Sequence, residues 1–119
     1  MSVHTKVHNN TAVSASGSSA VIPNFGSKRH VLNVVVSTAP TGTTPTITYA
    51  VQTSNDGITF NTIGAALAAL NAVGQQRTMY GPGTTQGVVA GKFIKIIWTV
   101  AGTTPNFPNI TAAFTGVDC

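Results

Sequence analysis

His4 and His8 are the first side chains in this 119-residue chain whose type and spacing suggest chemistry. On a helix, residues four apart share a face and two imidazoles could ligate a metal. The local sequence MSVHTKVHNN does not favour a helix, and no acid or cysteine stands near to complete a ligand set. His30 opens a β-branched run and reads as a surface or partly buried side chain, not a ligand. The only acids are Asp56 and Asp118. Paired-carboxylate catalysis needs two together, yet Asp56 sits in a turn-forming SNDG and Asp118 stands beside Cys119. A cysteine nucleophile needs a histidine partner on a firm frame, which that position does not offer. The serines of ASGSSA lack a Gly-x-Ser-x-Gly elbow. The GPGTTQG stretch lacks the lysine and helix of a phosphate cradle. Trp98 and Tyr49 could stack on a sugar, but both fall in alternating strands, where a core role is expected. These residues predict no enzyme, no cofactor and no metal.

Composition points the same way. Charged residues are 7% of the chain, against about 25% in ordinary globular proteins. Glu is absent, and Thr, Asn, Ser, Gly and Ala occupy the polar positions. Such a surface gains little solubility from charge and suits a protein packed against something else. The net charge of +4 comes from Lys6, Lys28, Arg29, Arg77, Lys92 and Lys95. Nucleic-acid binding would want these clustered with aromatic side chains. Only Lys28-Arg29-His30 and Lys92/Lys95 come close, so no direct nucleic-acid contact is expected. A positive balance fits docking on an acidic protein surface. A sole cysteine forms no internal disulfide, and the first residues show no apolar signal core. No run reaches the ~18 apolar residues of a spanning helix. The expectation is synthesis in a cytosol and no membrane contact.

Stepping through the elements, residues 1–10 read as a flexible arm. TAVSASGSSAVIPNFG reads as a strand interrupted at Gly17 and closed by Pro23 and Gly26. HVLNVVVST, from His30 to Thr38, reads as a buried central strand. Ile47, Tyr49 and Val51 alternate with Thr48, Ala50 and Gln52. SNDG predicts a hairpin turn, with Ile58, Phe60 and Thr62 alternating on the returning strand. GAALAALNAVGQQRTMYGPG fits a short helix or, better, strand–turn–strand. FIKIIWTV is the strongest strand, with Ile94, Ile96, Trp98 and Val100 on one face. Ile110, Ala112 and Phe114 close the chain.

The tetrapeptide GTTP occurs at Gly42–Pro45 and again at Gly102–Pro105. Each copy lies between a β-branched strand and a weaker alternating one. Glycine supplies turn freedom, and proline, which cannot donate to a ladder, belongs at a strand's first residue. The two copies predict matching corners of a two-sheet structure. The fold expected is an all-β, single-domain antiparallel β-sandwich over residues 11–119. It would be of jelly-roll or Ig-like type, with about seven to eight short strands and the N-terminal arm.

The stretch ITYAVQTSNDGITFNTIG, followed by GKFIKIIWTVAGTTPNFPNITAAFTG, resembles small β-sandwich structural proteins of tailed bacteriophages. The residues that carry the likeness are Val51, Gln52, Ser54, Asp56, Gly57, Thr59 and Phe60, then Trp98, Thr99, Val100, Gly102, Thr103, Thr104 and Pro105. The resemblance spans roughly residues 11–117 and implies a non-enzymatic virion component. These are turn and core residues, so no functional site comes with them. The expected function is capsid decoration: the protein binds the major capsid protein on the shell and associates into small symmetric oligomers. Val3, His4, Lys6 and His8 of the arm and the Lys28-Arg29-His30 corner are the expected contact residues. A tail or neck component is the first alternative, and a carbohydrate-binding module the second.

Overall fold

The strongest run of the sequence, FIKIIWTV, does not stop at its GTTP. It continues as one 25-residue strand from Phe93 to Val117. The computed structural model describes residues 3–23, 29–64, 67, 69–82, 84, 86–87, 89 and 91–117. Its strands are β1 (Val3–Val13), β2 (Gly17–Ser18), β3 (Ile22–Pro23), β4 (Arg29–Val36), β5 (Thr41–Ser54), β6 (Asn61–Thr62), β7 (Gly74–Tyr80) and β8 (Phe93–Val117). Every pairing between them is antiparallel. No helix occurs among the described residues, so the all-β expectation holds.

β8 belongs to two halves of the fold. Its first part, Phe93 to Ala101, pairs with β5 on one side and with β2 and β3 on the other. Its last part runs between β1 and β4, and β4 in turn pairs with β7. The two halves close on one core. Leu32, Val34, Val36, Ile110, Ala112 and Phe114 enter it from the β4 half, and Ile47, Tyr49, Val51, Ile94 and Ile96 from the β5 half. Removing each such large side chain from water is worth roughly 1.5–3 kcal/mol. Period-2 alternation on both long strands makes this possible, because every second residue points inward.

The two GTTP copies form the fold-over, and they face each other. Thr43 is paired with Thr103, and Thr41 with Asn106. A side-chain carbon on Gly42 would sit 2.5 Å from the Thr104 carbonyl oxygen; one on Gly102 would sit 2.7 Å from that of Thr44. Each copy thus leaves room for the other's backbone. Gly42 and Gly102 have φ of 107° and 116°, and Thr44 and Thr104 have φ of 47° and 45°. Left-handed backbone at a β-branched residue is strained by about 1–3 kcal/mol. Each strained threonine turns its hydroxyl onto the preceding carbonyl at 2.8 Å. The tetrapeptides lie inside β5 and β8, not ahead of a strand as expected. Neither Pro45 nor Pro105 is among the paired residues, which is how a ladder tolerates proline.

Two further expectations change, and one ambiguity resolves. Residues 3–10 are no free arm: they belong to β1, which pairs with β8 from Val3 opposite Gly116 to Val13 opposite Phe107. The physical reason is the edge of β8, whose backbone groups β1 satisfies. The strand after SNDG shortens to the two residues of β6, and Ile58 is 84% exposed. The described residues between 67 and 80 hold no helix, in line with the strand–turn–strand reading: Leu70 bridges Ile47 and β7 follows. Residues 65, 66 and 68 of the possible helix lie outside the described residues.

Candidate functional site

The outward face of the β4 half is a patterned surface across three strands. Alternation that buries Leu32, Val34 and Val36 turns Val31, Asn33 and Val35 outward. On the flanking strands, register aligns them with β7 and β8 in three rows. Met79, Val31 and Thr115 form one, Arg77, Asn33 and Ala113 the next, and Gln75, Val35 and Thr111 the third. A trough of about 470 Å³ opens here, lined by Val31, Asn33, Gln75, Arg77, Ala113 and Thr115. The Gln75 amide nitrogen donates to Asn33 Oδ1 at 2.8 Å. Arg77 brings the trough its single charge. Met79 at 57% and Val73 at 58% exposure flank it. Among the described residues β7 pairs only with β4, and no other strand lies on its far edge. The trough can offer amide hydrogen bonds, one cation and apolar contact. It holds nothing that moves a proton at neutral pH.

A second hollow of about 340 Å³ lies at the end of β5, lined by Thr53, Ser54, Asn55, Asp56, Thr59, Asn61 and Gly91. Here Asp56 Oδ1 accepts from the Ile58 amide at 2.8 Å, the Thr59 amide at 2.9 Å and the Ser54 hydroxyl at 2.8 Å. These bonds, the Ile58 amide first, bring its carboxyl down to about 2. A carboxylate held by three donors in a turn stays ionised and does not serve as a general acid. Ser54 Oγ in turn accepts from the Gly57 amide at 2.9 Å. The turn role read for Asp56 from SNDG is the one the geometry shows.

Register brings Val3 and His4 of β1 and Arg29 and His30 of β4 to opposite sides of one stretch of β8, Thr115 to Val117, but burial divides the expected contact residues. Val3, His4 and Lys6 pair through their backbones with Gly116, Thr115 and Ala113. His8 is only 6% exposed, because the register shift after Lys6 sets it opposite buried Ala112. Its Nδ1 lies 2.9 Å from the Tyr49 hydroxyl, and its ring meets Trp98 edge-on at 4.4 Å. Lys28 lies outside the described residues. Arg29 is exposed at the start of β4, opposite Val117.

His30 is 1% exposed and stacks on Phe114 at 5.2 Å. It faces Tyr80 across the β4–β7 ladder. Neither His30 nitrogen nor the Tyr80 hydroxyl has a hydrogen-bond partner. Burial lowers the pKa of both His8 and His30. It raises that of Tyr80 to about 12. His8 and His30 therefore cannot be surface contacts, which corrects the expectation for both. The inward pull has a plain cause: an imidazole is flat and largely apolar, and each ring here packs on an aromatic neighbour.

Tyr49 is wholly buried, and the Trp98 indole donates to the Ala15 carbonyl at 3.1 Å beneath Gly17. Neither forms an open aromatic platform. Among the described residues no three His, Cys, Asp or Glu side chains gather to hold a metal. What the sequence reading missed is Arg77 and the trough. The signal was present in GQQRTMY, whose outward residues alternate, but the trough needs three strands that are remote in sequence. Compared with protein families, curated proteins and solved structures, the chain shows no match.

Proposed function

We propose that the chain is a non-enzymatic virion structural protein of a tailed bacteriophage, a capsid decoration protein that binds the major capsid protein shell and stabilises the head. The observation that carries this reading is the outward face of the β4 half. Three strands backed by buried core residues present apolar, amide and hydroxyl side chains, with Arg77 the one charge of the trough and Arg29 at the start of β4. Desolvating such a face costs little in ion hydration, and its flat rows suit a large partner surface. The strand and turn residues that resemble phage virion proteins support it independently. Asp56 and the second GTTP, which carry that likeness, build the turn after β5 and the fold-over.

The mechanism is cohesion. Each copy spans neighbouring shell subunits, and many modest contacts add through avidity into a shell that resists internal pressure. Association of copies into small symmetric oligomers would extend the same contact. The test is co-sedimentation of purified protein with DNA-free, tailless shells. Saturable binding at a fixed ratio to the major capsid protein is the expected result. No binding to shells, with the protein located instead in tails, would overturn it in favour of a tail or neck component.

A further inference from the structure

We infer that the β7 edge and its trough form a docking site for an extended acidic segment of a partner protein, which adds a strand beside β7 and sets a carboxylate against Arg77. The inference rests on the capsid-binding reading for the identity of that partner, the shell protein, but the site stands on its own observations.

The first observation is the edge. β7 spans Gly74 to Tyr80, seven residues without proline, and among the described residues only β4 pairs with it. An open strand of this length is a template for another strand. The second is the position of the charge. Arg77 stands at the middle of β7, exposed, and no hydrogen bond or ion pair holds its guanidinium among the described residues. A guanidinium presents a planar fork that matches a carboxylate in two parallel bonds. The Asn33 and Gln75 amides beside it add neutral partners, while Val31 and Ala113 give the trough an apolar floor. The third is Val73 and Met79, exposed at the two ends of the strand. Apolar ends around a central cation describe a partner segment with an acid near its middle and apolar residues about it.

Charge decides between occupants. A second copy docking edge to edge would bring Arg77 towards another Arg77, and like charges across a strand pair are unfavourable. This chain has little acid to offer. Asp56 is committed to its turn, and the remaining acid is Asp118. The acid must come from a different protein. Nucleic acid would answer the charge but not the edge, because it has no backbone amides to continue a sheet.

The experiment titrates the isotopically labelled full chain with a synthetic peptide of alternating valine and glutamate, followed by amide chemical shifts. Arg77→Glu is the test variant. Lys92→Glu, an exposed site next to β8 in the other half, makes the same charge change elsewhere. The expected result is a set of shifts confined to β7 and the Asn33 and Gln75 side-chain amides. Arg77→Glu should weaken binding at least about tenfold, and Lys92→Glu less than about threefold. Equal binding by wild type and Arg77→Glu, shifts located elsewhere, or no shifts at all overturn the site. The same shifts produced by an oligothymidylate overturn the choice of a peptide. Shell co-sedimentation separates the two claims. Loss of shell binding in Arg77→Glu alone supports both. Wild type that binds the peptide but not shells keeps the site and removes the decoration reading.

Discussion

In the β5 half, the Tyr49 hydroxyl meets His8 at 2.9 Å and the Trp98 indole donates to Ala15. In the β4 half, the Tyr80 hydroxyl and both His30 nitrogens are buried with no hydrogen-bond partner. The edges differ in the same sense. β2 and β3 cover one side of β8 in the β5 half, with Ser16 and Ser19 hydroxyls accepting from Val100 and Ile96 amides. Among the described residues the outermost strand of the β4 half, β7, pairs only with β4. One half leaves no buried polar side-chain atom without a partner among the described residues, and it serves as the frame. The other carries unsatisfied groups inside and, among the described residues, an outer strand paired on one side only, and it is the half on which the proposed contact face lies. An unpaired buried polar group costs about 1–3 kcal/mol, so the asymmetry is energetic as well as geometric.

The largest test attacks what holds the halves together. Gly102→Val puts a branched side chain where the facing backbone stands 2.7 Å away, at a φ that L residues avoid. Urea unfolding should show a loss of about 2–4 kcal/mol. Gly74→Ala at the start of β7, where the added carbon meets open space, should stay within about 0.5 kcal/mol. Equal losses would mean that the GTTP fold-over is not special.

Next comes a matched pair of tyrosines. Tyr49→Phe strips His8 of its partner and should cost about 1–3 kcal/mol. Tyr80→Phe removes a hydroxyl that has no partner, and unfolding should show it neutral or more stable than wild type. If both variants lose the same stability, the contrast between the halves fails.

Acid sharpens the contrast further. Burial lowers the pKa of His8 and His30 below the ordinary 6.5. Below that pH the unfolded chain takes up protons that the folded chain refuses, so stability falls as pH falls and is level above it. His30→Leu should flatten part of that slope when melting temperature is followed from pH 8 to 4. An unchanged slope would place the acid sensitivity elsewhere. The smallest effect belongs to the exposed turn. Asp56, lowered from 3.8 to about 2, contributes stability above the higher value that is lost as pH falls through the lower. Asp56→Asn should lower the melting temperature slightly at neutral pH, and the difference should shrink as pH falls from 4 through about 2.

Much of the core was legible because its signal is local. Ile47, Tyr49 and Val51, Ile94 and Ile96, and Ile110, Ala112 and Phe114 alternate within a few residues, and all are buried as their period requires. The GTTP repeat announced corners. That the corners face one another was hidden, since pairing of Thr43 with Thr103 is a property of two distant segments. β1 was hidden by its own irregularity: register shifts at Lys6/His8, His8/Thr11 and Thr11/Val13 break the period that marks a strand. The trough was hidden for a third reason. Its residues are ordinary one by one, and only three-strand register makes them a surface.

One feature of the frame governs how the protein is made. β8 pairs directly with β1, β2, β3, β4 and β5, and it is the last of these strands to be synthesised. A nascent chain that has reached Tyr80 holds most of the apolar residues of the core but not the strand that joins its halves. The fold cannot be completed in instalments during translation. Until β8 leaves the ribosome, β1 and β5 lack the neighbour each is shaped to meet, and the long-range pairings must then form together, a topology that folds slowly. A ribosome stalled after β7 should therefore display a protease-sensitive chain, and one that has released all of β8 a resistant one.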